Sequence, residues 1–191
     1  MTGGGAVMKR TCARCKKELA AKALRPDRDR VTQGICSDCL KEIFMDRPRK
    51  GREVLDSIGA PVLLLDKGYR VKAANEPARK ILNRPLTDIE NFLPGEAMEC
   101  INARLPGGCG KTVHCQACAL RMALNKTITT GEDLERVPAY QDVYQKDGSI
   151  ARRYLLISTE KLEDFVLLRI DEIETLQTMQ AARRDPPVTT A

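Results

Sequence analysis

Residues 59–82, GAPVLLLDKGYRVKAANEPARKIL, decide how most of this chain folds. Pro61 to Asp66 is an apolar run of strand length, Lys67-Gly68 is a turn, and Tyr69 to Asn75 reads as a second strand, so the stretch opens a domain with a β-hairpin. Asn75 carries the side chain of a helix N-cap, and Pro77 is tolerated in a first helical turn. Ala78, Ile81 and Leu82 would give that helix its apolar face. Further on, residues 86–106 read as short helices and loops, broken at Pro94-Gly95 and Pro106-Gly107. The spacing predicts a helix from Cys115 to about Thr129, stopped at Thr130-Gly131. Three strand-like segments follow, about Leu134–Tyr144, Ile150–Thr159 and Phe165–Asp171, the first two joined by Lys146-Asp147-Gly148-Ser149. The order is therefore two strands, a set of short helices and three strands.

Inside the helical segment lies CINARLPGGCGKTVHCQAC, residues 100–118, with Cys100, Cys109, Cys115 and Cys118 spaced C-x8-C-x5-C-x2-C. If Cys115 opens the helix, Cys118 lies one turn on and both sulfurs point at one ion. Gly107, Gly108 and Gly110 allow a tight loop that returns Cys109 toward them and leaves N–H groups to donate to sulfur. His114 stands beside the third cysteine as a surface or supporting residue, since four thiols already complete a site.

The other four cysteines form a second set. Cys12 and Cys15 make one C-x2-C pair and Cys36 and Cys39 another, which is the two-knuckle pattern of a zinc site with four thiolate ligands. A closed site of that kind offers no open coordination position and is structural. The wording QGICSDCLKEIF resembles the C-terminal half of a small zinc ribbon that accompanies bacterial signalling proteins, with Gln33 standing where that pattern has His and LRPDRDRVT as the insert.

Composition narrows the rest. The apolar share of 42% over 191 residues suffices for one ordinary core beside a small module. No run reaches the roughly 18 apolar residues of a membrane span, and MTGGGAVMKR has no apolar export segment, so the expectation is a cytoplasmic protein away from membranes. In that compartment thiols stay reduced, which favours metal binding over disulfides. The net charge of +6 is uneven: residues 1–52 hold 14 Lys and Arg against 6 Asp and Glu. Such a basic block suits phosphate or an acidic surface, yet residues 1–43 have no aromatic side chain to stack on bases.

The features GAPVLLLDKGYRVKAANEPARKIL, TTGE and QKDGSIARRYLLIS, in that order, resemble a PAS domain over about residues 53–175. The resemblance implies an α+β fold, a five-stranded antiparallel sheet with helices on one face. It also implies a sensor that signals to a partner through flanking helices, and it gives Asn75 a structural role. The reactive cysteine motif of the light-sensing flavin subgroup is missing from ANEPARK, and HCQAC reverses a haem attachment motif, so neither group is expected. The expected layout is a disordered start (1–8), a four-cysteine zinc-ribbon module (9–46), a linker (47–52), the PAS-like domain (53–175) and a C-terminal helix and tail (176–191). In DEIETLQTMQAARR, Ile173, Leu176 and Met179 have helical spacing and would pack on the sheet, pair with a second copy, or meet a partner helix.

The functional expectation is a signalling protein that works by contact and not an enzyme, because no phosphate-binding glycine loop and no histidine-based relay is present. At Cys100–Cys118 two chemistries compete, a structural zinc ion and a redox-responsive iron–sulfur cluster, with a metal-free thiol switch at Cys115 and Cys118 as a third. The alternative class is a nucleic-acid-binding adaptor that uses the basic zinc ribbon.

Overall fold

The computed structural model describes residues 7–12, 14–23, 33–34, 36, 38–39, 48–145, 147–162 and 164–175. The chain divides into two units, Met1–Gly59 and Ala60–Ala191. The expected disordered start lies mostly outside the described residues, as do the C-terminal helix and tail.

The first unit holds a small sheet of β1 (Val7–Cys12), β2 (Glu18–Ala23) and the two-residue β3 (Gln33–Gly34), in the order β2-β1-β3. β1 runs antiparallel to β2 and parallel to β3. Helix α1 (Pro48–Asp56) starts within the stretch read as a linker, with proline at its first position, where no N–H is required.

The second unit is an antiparallel sheet built from β4 (Val62–Asp66), β5 (Val71–Ala74), β6 (Leu134–Tyr144), β7 (Ile150–Leu162) and β8 (Phe165–Thr175), in the order β5-β4-β8-β7-β6. Helices α2 (Glu76–Leu82), α3 (Pro94–Ala97) and α4 (Ala119–Thr130) interrupt the strand series between β5 and β6, with short 3-10 turns between them. The architecture is α+β and PAS-like. Leu63, Leu65, Ala139, Leu155, Ile157, Leu168 and Ile170 from the sheet pack with Ala78, Leu82, Met98, Leu120, Ala123 and Leu124 from the helical segment. Val62 and Leu64 alternate with this set yet are also fully buried, so β4 is covered on both faces and needs its unbroken apolar run.

The hairpin forms where the sequence places it. Asp66 accepts from the N–H groups of Gly68 and Arg70 at 2.9 Å each, closing the turn. Asn75 does more than cap α2. Its Oδ1 accepts from Ala78 N–H at 3.0 Å and from Val62 N–H at 2.9 Å, while Nδ2 donates to Ala60 O at 2.8 Å. One fully buried side chain thus ties the start of β4 to the end of β5 and to α2.

Three sequence expectations are corrected. Ile81 is exposed, so the apolar face of α2 is carried by Ala78 and Leu82. Cys115 closes a 3-10 turn (Val113–Cys115), and α4 starts only at Ala119 with Cys118 as its N-cap in extended conformation, so the two sulfurs do not share a helical face. The stretch Asp171–Thr175 continues β8, with Ile173 opposite Leu155 in register, because pairing with the long β7 outweighs the helical spacing; Leu176 and Met179 lie outside the described residues. Among the described residues no helix is long and apolar enough to cross a membrane.

Asn75→Ala removes three buried hydrogen bonds and is expected to cost about 2–4 kcal/mol in urea unfolding. The neighbouring Glu76→Ala, which loses an exposed ion pair with Lys80, serves as the near-neutral control.

Candidate metal centres

In the first unit β1 ends at Cys12, and a tight turn follows in which Cys12 N–H donates to Lys17 O at 2.8 Å and Lys16 N–H to Cys12 O at 3.0 Å. Lys16 takes a left-handed φ of 61° to make it. The parallel pairing of Cys12 with Gly34 brings the second knuckle alongside. Cys36 N–H then donates to Cys12 Sγ at 3.4 Å, Cys39 N–H to Cys36 Sγ at 3.4 Å, and the sulfurs of Cys15 and Cys36 lie 3.6 Å apart. All four sulfurs fall within 4.8 Å of one another, a group that could hold a metal ion. A tetrahedral ion with metal–sulfur bonds of about 2.3 Å separates its ligands by about 3.8 Å, so the set matches a single ion.

The thiols of this set are pulled in opposite directions. Burial disfavours the thiolate of Cys12, but the N–H groups of Cys36, Cys15 and Arg14 outweigh it and bring the thiol down to about 6. Cys39 is pushed up to about 12, first by burial and then by the neighbouring thiols. Cys36 is also raised by burial. A bound cation removes that conflict, since it stabilises every thiolate at once. Cys15 is the exposed member and the other three are buried.

In the second unit all four cysteines, Cys100, Cys109, Cys115 and Cys118, line one cavity of about 580 Å³ between the helical segment and β6–β7. Each arrives from a different local structure. Cys100 N–H donates to Gly95 O at 2.7 Å, and Cys100 forms an isolated antiparallel bridge with Val143 on the edge strand β6. Cys109 sits against Gly95: a Cβ there would come within 2.6 Å of its sulfur and 3.6 Å of Cys100 Cβ. Cys115 Sγ accepts from Gly110 N–H at 3.2 Å and has Thr112 Oγ1 at 3.2 Å. Gly110 has a φ of 85°, and a side chain on it would meet the Arg121 guanidinium at 3.0 Å. Cys118 caps α4, whose Leu120, Ala123 and Leu124 are in the core.

Ionisation is again contested. Burial raises the thiols of Cys100 and Cys109, the latter to about 11, against the lowering effect of nearby amides. At Cys115 burial is outweighed by the Thr112 hydroxyl, the amides of Gly110 and Thr112 and the Arg121 guanidinium, so its thiol lies below the usual range. The amide donors expected from the glycine-rich loop are present at Gly110. His114 is exposed at the cavity mouth. The spacing of the second set differs from the first: among the described residues, only the N-terminal cysteines bring three or more ligand atoms within 4.8 Å of one another. The second four share a cavity at wider separation.

Sequence reasoning overlooked Gly95, whose contact with Cys109 spans fourteen positions and has no local signature. It also overlooked Thr112 and the Asp142–Arg152 pair beside the cavity. That pair is bidentate at 2.8 and 3.0 Å, with Arg152 stacked on Tyr140 at 4.5 Å.

No family model matches the chain, and no curated protein matches it. Solved structures do. The Rhodobacter sphaeroides LOV protein aligns at 16% identity over 72% of this chain and 71% of its own, with a TM-score of 0.44. The PAS domain of nitrogen regulation protein NR(II) from Vibrio parahaemolyticus aligns at 15% identity over 63% of this chain and 95% of its own, TM-score 0.40. The PAS domain of Bordetella pertussis BvgS aligns at 16% identity over 73% and 96%, TM-score 0.36. Each is a likeness of backbone arrangement.

Gly95→Ala is expected to lower the metal bound at Cys100–Cys118 by half or more, read as metal per chain by mass spectrometry, because the new methyl displaces the Cys109 sulfur. Gly59→Ala, with nothing within 4 Å of the added Cβ, is expected to leave metal content unchanged.

Proposed function

We propose that this protein is a non-catalytic PAS-type sensor of the cytoplasm. In this reading Cys12, Cys15, Cys36 and Cys39 hold a structural zinc ion, and Cys100, Cys109, Cys115 and Cys118 hold a redox-responsive iron–sulfur cluster whose state is passed to a signalling protein by direct contact. The observation that carries the choice is the contrast between the two cysteine sets. The first has the close packing of a single tetrahedral ion, whereas the second spreads four thiols around a roomier cavity, which suits a polynuclear group with four thiolate ligands.

The residues fit that group on further grounds. The cavity wall is pared to glycine at Gly95, where any side chain would occupy the place of the Cys109 sulfur. Amide and hydroxyl donors at Cys115 stabilise negative charge on sulfur, and the Arg121 guanidinium adds to it. When bound, the cluster would supply a one-electron change of charge inside a half-buried pocket. The chain's own part is to hold four sulfurs in place, donate hydrogen bonds to them and transmit their displacement. Met98 O accepts from Gln141 Nε2 at 2.7 Å and from Arg153 Nη1 at 3.2 Å, so the segment leading into Cys100 is fastened to both β6 and β7. A homodimer would give the output two-fold symmetry.

A second reading, an adaptor that binds nucleic acid through the first unit, is favoured by the excess of 14 Lys and Arg over 6 Asp and Glu in residues 1–52. It requires a salt-dependent gel shift that disappears when Lys9, Arg10, Lys16 and Lys17 are neutralised.

The deciding experiment is the absorption spectrum and metal content of protein purified without oxygen, beside a variant with Cys115→Ser and Cys118→Ser. The expected result is a brown protein with thiolate-to-iron absorption that the variant loses, while about one zinc ion per chain persists in both. A colourless protein with about two zinc ions per chain, falling to about one in the variant, would overturn the cluster.

A further inference from the structure

The surface over the second cysteine set has a character of its own. Residues 100–131 contain no Asp or Glu, although the chain carries 26 of them, and they contain Arg104, Lys111, Arg121 and Lys126. Two of these cations are occupied: Lys126 pairs with Glu132 at 3.0 Å, and Arg104 lies over the Tyr144 ring at 5.1 Å. Lys111 and Arg121 are exposed, line the cavity mouth together with His114, and pair with no carboxylate among the described residues. Asp142, the carboxylate that lines the cavity, is paired with Arg152, and Glu96 accepts from Leu93 N–H at 2.8 Å. Val113, 74% exposed, belongs to the same cavity lining as these cations, and Met122 next to Arg121 on α4 is 59% exposed. Exposed cations and an exposed valine thus line the cavity that also holds the four thiols, and an exposed apolar side chain among charges marks an interaction surface.

We infer that this face is the docking surface for an acidic one-electron carrier protein, a small iron–sulfur protein with a carboxylate-rich surface, that exchanges electrons with the cysteine centre beneath it. The inference rests on the iron–sulfur reading above and names the partner of that same site. Charge complementarity selects the partner: long-range attraction between these cations and an acidic surface speeds and orients encounter, while the small apolar patch excludes water without holding the complex tightly. Weak redox encounters use small interfaces of this kind. A nucleic acid fits less well, because the exposed valine and methionine offer phosphates neither a donor nor an aromatic stacking platform. The transfer balances simply. The reduced carrier gives up one electron and is oxidised by one, and the oxidised centre gains that electron, with no proton or leaving group required.

The test uses the full chain, purified without oxygen, and a photoreduced plant-type [2Fe–2S] ferredoxin as the probe, with reduction of the centre followed by stopped-flow absorption. Docking as inferred gives a rate that falls at least about tenfold between low and physiological salt, and at least about tenfold in a Lys111→Glu, Val113→Glu variant. The same variant must keep its iron and be reduced by dithionite at the wild-type rate. A wild-type protein that takes electrons from dithionite but equally fast from acidic and basic carriers, or without salt dependence, overturns the docking face while leaving the cluster standing. So does a duplex DNA that displaces the ferredoxin. If the purified protein holds zinc alone at these cysteines, the redox role falls with the cluster, and ferredoxin binding measured by NMR titration then decides whether the surface survives as a docking face.

Discussion

Thiolates gathered in a buried pocket repel one another and have little water to stabilise them, so four of them stay together as ligands only around a cation or a cationic cluster. Both cysteine sets of this chain are arranged against that constraint. In each, burial holds some thiols up, Cys39 to about 12 and Cys109 to about 11, while backbone amides bring one sulfur down, Cys12 in the first set and Cys115 in the second. Backbone N–H groups are fixed donors, so they do part of a metal's stabilising work before any metal arrives. The two sets differ in how their sulfurs are brought together. Among the described residues of the first unit, the two knuckles meet through the parallel pairing of Thr11 and Cys12 with Gln33 and Gly34, the Cys36 N–H on Cys12 Sγ and the exposed Lys17–Asp38 ion pair. In the second, a core with five strands and three helices already exists, and the cysteines occupy a cavity at its margin. A metal at the first set would close the small unit's two knuckles, whereas one at the second would be added to a core that the sheet and helices already make.

That difference explains what could be read from the sequence. The strands were legible because each is decided locally: PVLLLD is an apolar run of strand length, Lys67-Gly68 favours a turn, and Lys146-Asp147-Gly148-Ser149 separates two strand-like segments. The C-x2-C pairs were legible for the same reason. The helix expected from Cys115 failed because residues 113–118 are governed by non-local demands: a 3-10 turn places Cys115 Sγ near Gly110 N–H, and the chain must then extend at Cys118 before α4 begins. A pattern of residues spaced three apart is common to a helix and to such a turn. The strand at Asp171–Thr175 was misread because helical spacing of Ile173, Leu176 and Met179 says nothing about the length of the strand it must pair with, and β7 is thirteen residues long. Gly95 was illegible altogether, since its significance is a distance to a sulfur fourteen residues on.

The placement of the second set also decides how its chemistry can be felt. Cys100 bridges to Val143 on β6, and the carbonyl of Met98, two residues earlier, is gripped from β6 by Gln141 and from β7 by Arg153. Cys118 sits at the N-cap of α4, which carries Leu120, Ala123 and Leu124 into the core against the sheet. In the sensor reading, a sulfur that moved by a fraction of an ångström would push on a packed helix at one end and on an edge strand at the other, and close-packed interiors pass on such shifts. Burial works against the charge of Arg153, so its bond to Met98 O is not readily replaced by water. Such transmission would need no wire of special residues, only a centre anchored at both ends to packed elements, as Cys100 is to β6 and Cys118 to α4.

The same anchoring limits what can stand over the centre. Between Cys109 and Cys115 the chain runs as a glycine-rich loop and a 3-10 turn, and its exposed Lys111, Val113 and His114 all line the cavity. A loop has few side chains to spend on its own core, so those it carries face outward, and their charge is set by something other than packing. Asp142 is paired with Arg152 and the segment 100–131 has no carboxylate, so the charged side chains of that loop are all cationic. Four thiolates underneath would draw cations for their own sake, and Arg121, close to Gly110 and Cys115, is explained that way. Lys111 and Val113 are not: one is an exposed cation and the other an exposed valine on the same loop, and their common feature is that both face whatever approaches the centre from solvent.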